Sequence, residues 1–216
     1  MRKLSLGVIG TLEQYQQQRA LIRRAMIEHK RSRLLSLGPH VTLHFEDYMT
    51  MKYQVQEMMY IERLQDPAAV QEEIDVYNPL IPDGSNLKCT MMIEFPDQEQ
   101  RRQALRELVE LEHRIFLQIA DHAPVAAIAD EDLPRSTADK TSAVHFLRFE
   151  FTPRMIAAAR SGATWRALAD HPRYRHQVDP MSSALTQQLL HDFEPRQTAD
   201  RNAANAHQDV ATEVSR

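Results

Sequence analysis

The 216-residue sequence has one cysteine, five glycines and no hydrophobic run long enough to cross a bilayer. The lone Cys89 excludes an intramolecular disulfide, and it excludes a zinc or iron–sulfur site built only from cysteines of this chain. With so few glycines a glycine-rich phosphate loop is excluded, and no nucleophile elbow is present. Because the N-terminus also lacks the apolar core of a secretory signal, we expect a cytoplasmic protein with no membrane partner.

The sequence also lacks a strong overall charge, since its formal net charge is −4. Residues 1–35 nevertheless hold eight lysines and arginines against two glutamates, a local charge of +6. A basic helix could meet nucleic acid or an acidic partner, but this one lacks the interleaved aromatic residues that stack on bases. Nucleic-acid binding is therefore the least favoured function, and a solvated helix face is the simpler interpretation.

The period of the apolar residues predicts an α+β fold, with a mostly antiparallel sheet of about five strands and helices packed against it. Helical spacing or capping signals occur at residues 12–32, 57–64, 66–78, 98–112 and 182–193. Strand patterns occur at residues 41–46, 51–56, 86–95, 114–120, 125–128 and 143–151. Between Thr152 and the last helix the pattern is loosely helical. It includes an irregular segment in which His171 and His176 are expected at the surface.

Composition changes near the C-terminus. Residues 1–194 contain enough apolar side chains for a core, and we expect them to form a single α+β domain. Residues 195–216 contain few apolar side chains, so we expect a disordered tail.

The segment SLGPHVTLHFED, residues 36–47, places His40 and His44 four positions apart. On a helix this spacing would favour a shared metal ion, but the alternation predicts a strand, which separates the two residues by about 13 Å. A loop at 48–50 would pair this strand with MKYQVQ, residues 51–56, in a hairpin. The polar residues of both strands would then share a surface that is either a metal or acid–base site or a hydrated sheet face.

Two further sets of residues are candidate metal ligands. Glu57, Glu62 and Glu73 lie on predicted helices that would turn their carboxylates inward, as in carboxylate-bridged di-metal sites, although the Glu-x-x-His pairs of such sites are missing. The alternative is that these carboxylates pair with Arg63, Arg101 or Arg102. His145 shares a strand face with apolar residues, so it is either a ligand or a core histidine bonded to a carbonyl. The predicted metal ligands are His44, Glu57, Glu62, Glu73 and His145.

Four motifs, SLGPH, QxQEM, QEExDxYNxLxP and IExPD, follow one another within residues 36–97. Together they resemble an uncharacterised bacterial family of unknown function, and the resemblance covers about residues 1–195. Genes of that family tend to lie near genes for rubrerythrin and iron–sulfur oxidoreductases. The resemblance therefore implies a redox or oxidative-stress setting and those proteins as partners, but it implies no catalytic residue.

The sequence as a whole favours an accessory or interaction module of a redox system that binds a metal or small cofactor. The alternative is a metal-dependent enzyme with a histidine–glutamate site. A homo-oligomer is a further expectation, and no motif identifies the cofactor.

Overall fold

The computed structural model describes residues 3–193, which fold into helices and two antiparallel sheets. The α-helices are α1 Leu6–Ile9, α2 Leu12–Arg31, α3 Tyr48–Glu62, α4 Pro67–Tyr77, α5 Gln98–Glu107, α6 Pro153–Arg160 and α7 Ser183–Leu190. Short 3-10 helices span Asn78–Leu80, Leu111–Arg114 and His191–Phe193. The strands are β1 Leu34–Ser36, β2 Val41–Glu46, β3 Asn86–Ile93, β4 Ile115–Ile119, β5 Val125–Ala126, β6 Ile128–Ala129, β7 Val144–Glu150, β8 Trp165–His171 and β9 Tyr174–Val178. The tail predicted at residues 195–216 lies outside the described residues.

The strands form two sheets. Sheet A has the order β1-β2-β3-β7-β6, and sheet B has the order β5-β4-β8-β9. Every strand pair is antiparallel. The predicted α+β class with antiparallel strands is confirmed, and sheet B is an addition to the one sheet of about five strands that the sequence predicts.

The main core lies between the two sheets. Leu43 and Leu147 of sheet A and Leu117 and Ala167 of sheet B belong to one cluster of buried side chains. A second cluster joins α1, α3 and α4. Helices α2 and α3 lie over the polar face of sheet A and enclose a cavity with it. Within residues 3–193, no helix has both the length and the apolar composition needed to cross a bilayer.

The predicted hairpin over residues 41–56 is wrong, because residues 51–56 belong to helix α3. Asp47 begins this helix: its carboxylate accepts a hydrogen bond from the backbone N–H of Thr50, and the Thr50 hydroxyl accepts one from the backbone N–H of Asp47, both at 2.9 Å. Met51, Val55 and Met59, spaced four apart, are buried on one side of the helix. The six residues of MKYQVQ also alternate between apolar and polar, as a strand would, so this short segment does not distinguish a strand from a helix.

The loosely helical pattern predicted after Thr152 is also wrong in part, because β8 and β9 form a hairpin there. Pro172 and Arg173 make its turn. His171 is buried, with 7% of its surface exposed, and its Nε2 donates a hydrogen bond to the Val109 carbonyl at 3.0 Å. The expectation that His171 lies at the surface is therefore wrong. The alanines of β8 explain the misassignment, because alanine favours helices by propensity.

Helix α5 ends at Glu107, five residues before the predicted end. Glu110 adopts a left-handed conformation with φ 68°, and the 3-10 helix Leu111–Arg114 follows it. This change of direction carries Glu112 into the core, where 2% of its surface is exposed. The bend therefore places a carboxylate where a continuous helix would not.

Arg33 is a buried arginine that links sheet A to the C-terminal helices. Its Nε donates to the Phe45 carbonyl at 3.0 Å, and its Nη1 donates to the Gln188 carbonyl at 3.2 Å. Its guanidinium also forms an ion pair with Asp192 and lies 3.5 Å from Asp47. Burial raises the pKa of Asp192 to about 7, although the Arg33 charge opposes this shift.

Candidate metal centre

His145 lies on β7 and faces the core between the two sheets. Successive residues of a strand point to opposite faces, so its neighbours Val144 and Phe146 face the helices. The imidazole has no exposed surface. Its two ring nitrogens must therefore find partners inside the protein.

Asp130, directly after β6, supplies the first of these partners. Its Oδ2 lies 2.6 Å from Nδ1 of His145. Its Oδ1 accepts a hydrogen bond from the backbone N–H of Phe146 at 3.0 Å and lies 3.3 Å from Nη1 of Arg135. Asp130 has φ 51°, a conformation that aspartate tolerates better than most residues. A carboxylate can only accept here, so a proton on Nδ1 completes this hydrogen bond, and Nε2 is the ring nitrogen that faces Glu112.

Glu112 faces Nε2 of His145 from the 3-10 helix before β4. Its Oε2 lies 4.0 Å from Nε2, and the Thr141 hydroxyl contacts both atoms, at 2.8 Å from Nε2 and 3.3 Å from Oε2. Nε2 also lies 3.1 Å from the Ser142 carbonyl oxygen. The Ser136 hydroxyl donates to the other carboxylate oxygen. Ser136 and Thr141 belong to the segment between β6 and β7. Parts of the chain that are distant in sequence therefore converge on one buried polar cluster.

Glu112, Asp130 and His145 form a group with the chemistry of a metal site. One ligand atom from each lies within 4.8 Å of the others. Two carboxylates and one imidazole suit iron, manganese or zinc. A carboxylate on Nδ1 is the arrangement found around metal-bound histidines. Nε2 lies 3.1 Å from the Ser142 carbonyl, which is the contact of a core histidine bonded to a carbonyl, and it would have to leave that carbonyl to bind a metal ion. We call these three residues the metal cluster.

The structure places the other four predicted ligands away from the metal cluster. His44 lies on β2 and lines the cavity beneath α2 and α3. Glu57 lies on α3 and binds both Nε and Nη2 of Arg19 at 2.8 Å, and it also accepts a hydrogen bond from the Tyr15 hydroxyl. The hydrogen bond from Arg19 lowers the pKa of Glu57. Glu57 is thus paired with an arginine, as the alternative to ligation expected, but the arginine is Arg19 and not one of the three predicted partners.

Glu62 and Glu73 lie on the neighbouring helices α3 and α4. Burial raises the pKa of Glu73, and the negative charges of Glu62 and Glu72 raise it further. Glu73 is half-buried, but Glu62 is exposed, so the helix does not turn the Glu62 carboxylate inward as the sequence predicts. Ligation of a metal by His44, Glu57, Glu62 or Glu73 stays a prediction.

Sequence reasoning identified His145 as a candidate but missed Glu112 and Asp130. The sequence predicts Glu112 at the end of the helix over residues 98–112, and Asp130 only follows the strand pattern at residues 125–128. Neither residue stands in a motif with ligand spacing to His145. Their convergence depends on the bend at Glu110 and on the pairing of β6 with β7, which no local pattern marks.

Comparison with known proteins shows which family shares this fold. A family model described as a protein of unknown function, DUF3501, matches residues 3–193. The chain is also similar to a protein of unknown function from Burkholderia pseudomallei with a crystal structure. The two share 46% sequence identity and a TM-score of 0.85, over 89% of this chain and 100% of that chain. No curated protein matches. The chain therefore belongs to the DUF3501 family of proteins of unknown function.

Proposed function

We propose that this protein binds one divalent metal ion in the metal cluster. His145 Nε2 and Glu112 would bind the ion, and Asp130 would orient the imidazole through Nδ1. The observation that carries the proposal is the 4.0 Å separation of His145 Nε2 and Glu112 Oε2 in the protein interior, with Asp130 on the other ring nitrogen. Metal bonds to nitrogen and oxygen are about 2.0–2.2 Å long, so an ion between Nε2 and Oε2 could reach both atoms.

The charge of Glu112 supports this proposal. Its carboxylate is buried, and among residues 3–193 the basic side chains within 4.0 Å of it are two histidines, His113 and His145, each at 4.0 Å, with no lysine or arginine. A buried carboxylate is costly unless hydrogen bonds and an opposite charge compensate for its lost hydration. Ser136 and Thr141 supply the hydrogen bonds, and a bound cation would supply the charge.

Burial also bears on the choice between a binding protein and an enzyme. His145 has no exposed surface and Glu112 has 2%, so a substrate would have no direct path to an ion between them. The geometry therefore favours a stably bound ion, and we place the metal-dependent enzyme second. The ion would hold the segment between β6 and β7 against the 3-10 helix that precedes β4.

Metal content and affinity test the proposal. Tag-free protein is purified and its iron, manganese and zinc are measured. The metal-stripped protein is then titrated with Fe²⁺, Mn²⁺ and Zn²⁺ by calorimetry. We expect about one ion per chain, and a melting temperature that rises with metal, because ligands that bind only the folded state stabilise it. Glu112→Gln and His145→Gln should weaken binding at least about 100-fold, and Asp130→Asn about 10- to 100-fold.

His171→Gln is the matched control, because His171 is also buried but donates to a backbone carbonyl outside the metal cluster. It should bind metal like the wild type. Wild-type protein that contains no metal and gives no binding heat with any of the three ions would contradict the proposal. Equal binding by wild type and both Glu112→Gln and His145→Gln would also contradict it.

The accessory role in a redox system rests on the motif resemblance, and a site for iron or manganese would suit it. We propose complexes with rubrerythrin or iron–sulfur oxidoreductase proteins, because genes of the family that the motifs resemble tend to lie near genes for such proteins. Gel filtration of micromolar mixtures should give a shared early peak, and the protein alone on the same column reports its homo-oligomeric state. Separate elution of the mixed proteins would argue against this role and leave the metal proposal intact.

A further inference from the structure

A cavity of about 400 Å³ lies between the polar face of sheet A and the helices that cover it. Its floor comes from β2, β3 and β7, and its roof comes from α2, α3 and the chain at the end of α4. Volumes of about 300–1,000 Å³ are typical of small-molecule sites. The cavity lies on the opposite face of β7 from His145, so binding in the cavity does not depend on the proposed metal site.

Glu46 supplies a buried negative charge to this cavity. Its exposed fraction is 8%, and its carboxylate accepts a hydrogen bond from the Thr90 hydroxyl at 2.7 Å. In the described part of the chain, no lysine, arginine or histidine forms an ion pair with it. One hydroxyl donor is little compensation for a carboxylate removed from water. A ligand ammonium group would provide the missing charge and further N–H donors.

Lys30 supplies the opposite charge. It lies near the C-terminus of α2, is half-buried, and lines the same cavity as His44. Its Nζ lies 5.6 Å from the ring centroid of Tyr53, and among residues 3–193 it has no carboxylate within ion-pair distance. The Lys30 ammonium group is therefore available to a ligand carboxylate.

The rest of the wall is largely apolar. Met51 and Leu80 contribute to the roof, and Met92 and Phe146 contribute to the floor. Methionine side chains adapt to ligands of different shapes. An apolar group that fills this space would leave water, which favours binding in proportion to the area buried.

We infer that this cavity binds a free α-amino acid with a bulky apolar side chain. The ligand ammonium group would meet Glu46, its carboxylate would meet Lys30, and its side chain would contact the methionines and Phe146. A simple amine would leave Lys30 uncompensated, and a simple carboxylic acid would face Glu46 with like charge. The paired charges thus select a zwitterion over either single ion.

Calorimetric titration with matched probes tests this inference. L-Phenylalanine, L-leucine and L-methionine are the zwitterions, phenethylamine lacks the carboxylate, and 3-phenylpropionate lacks the ammonium group. We expect at least one amino acid to bind, with phenethylamine and 3-phenylpropionate each at least about tenfold weaker than phenylalanine, since each loses a charge-assisted hydrogen bond. If none of the three amino acids binds at millimolar concentration, or if either single ion equals phenylalanine, the inference is overturned.

Variants locate the binding site. Glu46→Gln keeps the shape of the side chain and should lower amino acid affinity at least about tenfold, and Lys30→Gln should do the same. Glu94→Gln is the matched control, because Glu94 is an exposed carboxylate that accepts from Thr42 outside the cavity. It should bind like the wild type. Circular dichroism confirms folding of each variant, and unchanged affinity in a folded Glu46→Gln protein would overturn the inference.

Discussion

At the residue scale, Asp192 shows how burial competes with an ion pair. The folded-state pKa of about 7 exceeds its ordinary value of 3.8 because burial penalises the charged form. Between about pH 4 and 7 the folded protein therefore holds a proton that the unfolded chain has lost. The contribution of protonated Asp192 to stability is complete below about pH 4. It falls by up to about 1.4 kcal/mol per pH unit as the pH rises, and it is lost once the pH has passed about 7.

Urea unfolding of wild type and Asp192→Asn between pH 4 and 8 tests this assignment. The free energy of unfolding of the wild type should fall relative to that of the variant as the pH rises. Subtracting the two free energies removes the pH dependence that other titrating groups give to both proteins. The neighbouring Asp47 does not interfere with this test. Burial alone would raise the pKa of Asp47, but the hydrogen bond from His29 and the charge of Arg33 outweigh it and lower this pKa. The contribution of Asp47 to stability is therefore lost only in more acidic solution. Asp170→Asn is the surface control, and its pH dependence should match the wild type. A constant difference for Asp192→Asn would refute the assignment.

Gly38, in the SLGPH motif, is a second residue whose role is clear from its surroundings. It has φ 81°, and a Cβ there would lie 2.5 Å from Cγ of His176 and 2.6 Å from the Tyr174 hydroxyl oxygen. That hydroxyl cannot easily move, because it donates to the Leu37 carbonyl at 2.8 Å and accepts from the His40 N–H at 3.0 Å. The motif thus joins β9 to sheet A.

Gly38→Ala should therefore destabilise the protein more than the positive φ angle alone would, because the new methyl group also meets Tyr174 and His176. Gly162→Ala is the control, because Gly162 has φ 84° and open space around it. We expect the control to lose about 1–2 kcal/mol in the free energy of unfolding, measured with urea. Gly38→Ala should lose about 1–3 kcal/mol more than the control. If the two variants lost the same free energy of unfolding, the contact of the new methyl group with Tyr174 and His176 would not affect stability, and the account would be contradicted.

At the element scale, sequence patterns succeed where one period dominates. The capping box of Thr11 and Gln14 and the helical stripe after it predict α2, and both features are present. The alternation of Val41, Leu43 and Phe45 likewise predicts β2, and all three residues are buried.

Patterns fail where two periods coincide or propensity conflicts with tertiary structure. MKYQVQ alternates like a strand, yet its residues four apart pack as a helix once Asp47 and Thr50 close the capping box. In β8 the residues Trp165, Ala167 and Ala169 are buried in alternation, but the alanines suggest a helix. A local capping box thus begins the helix in the first case, and pairing of β8 with β4 and β9 forms the strand in the second.

The capping box that begins α3 is open to direct measurement. Thr50→Val keeps the volume of a side chain that is 1% exposed but leaves the backbone N–H of Asp47 without its acceptor. We expect a loss of about 1 kcal/mol or more in the free energy of unfolding. Thr186→Val in α7 removes a hydroxyl that only donates to the Ser183 carbonyl, and it should change stability by less than about 0.5 kcal/mol. A Thr50→Val variant as stable as the wild type would show that the capping box does not determine where α3 begins.

At the scale of the whole molecule, the layer order decides which polar residues meet. Sheet A separates the metal cluster on its core face from the cavity on its helix face. His145 therefore belongs to the metal cluster, and His44 lines the cavity. The alternation of β7 made His145 a candidate from sequence alone. Glu112 and Asp130 could not be found in the same way, because a bend and a two-strand pairing bring them to the histidine.

The most direct test of metal binding by this cluster is anomalous diffraction from crystals of the metal-loaded protein, recorded at the absorption edge of the bound metal. We expect one peak per chain, about 2.0–2.2 Å from both Nε2 of His145 and a carboxylate oxygen of Glu112, with Asp130 still on Nδ1. A fully loaded protein whose only anomalous peak lies elsewhere, with the metal cluster empty, would contradict the proposal.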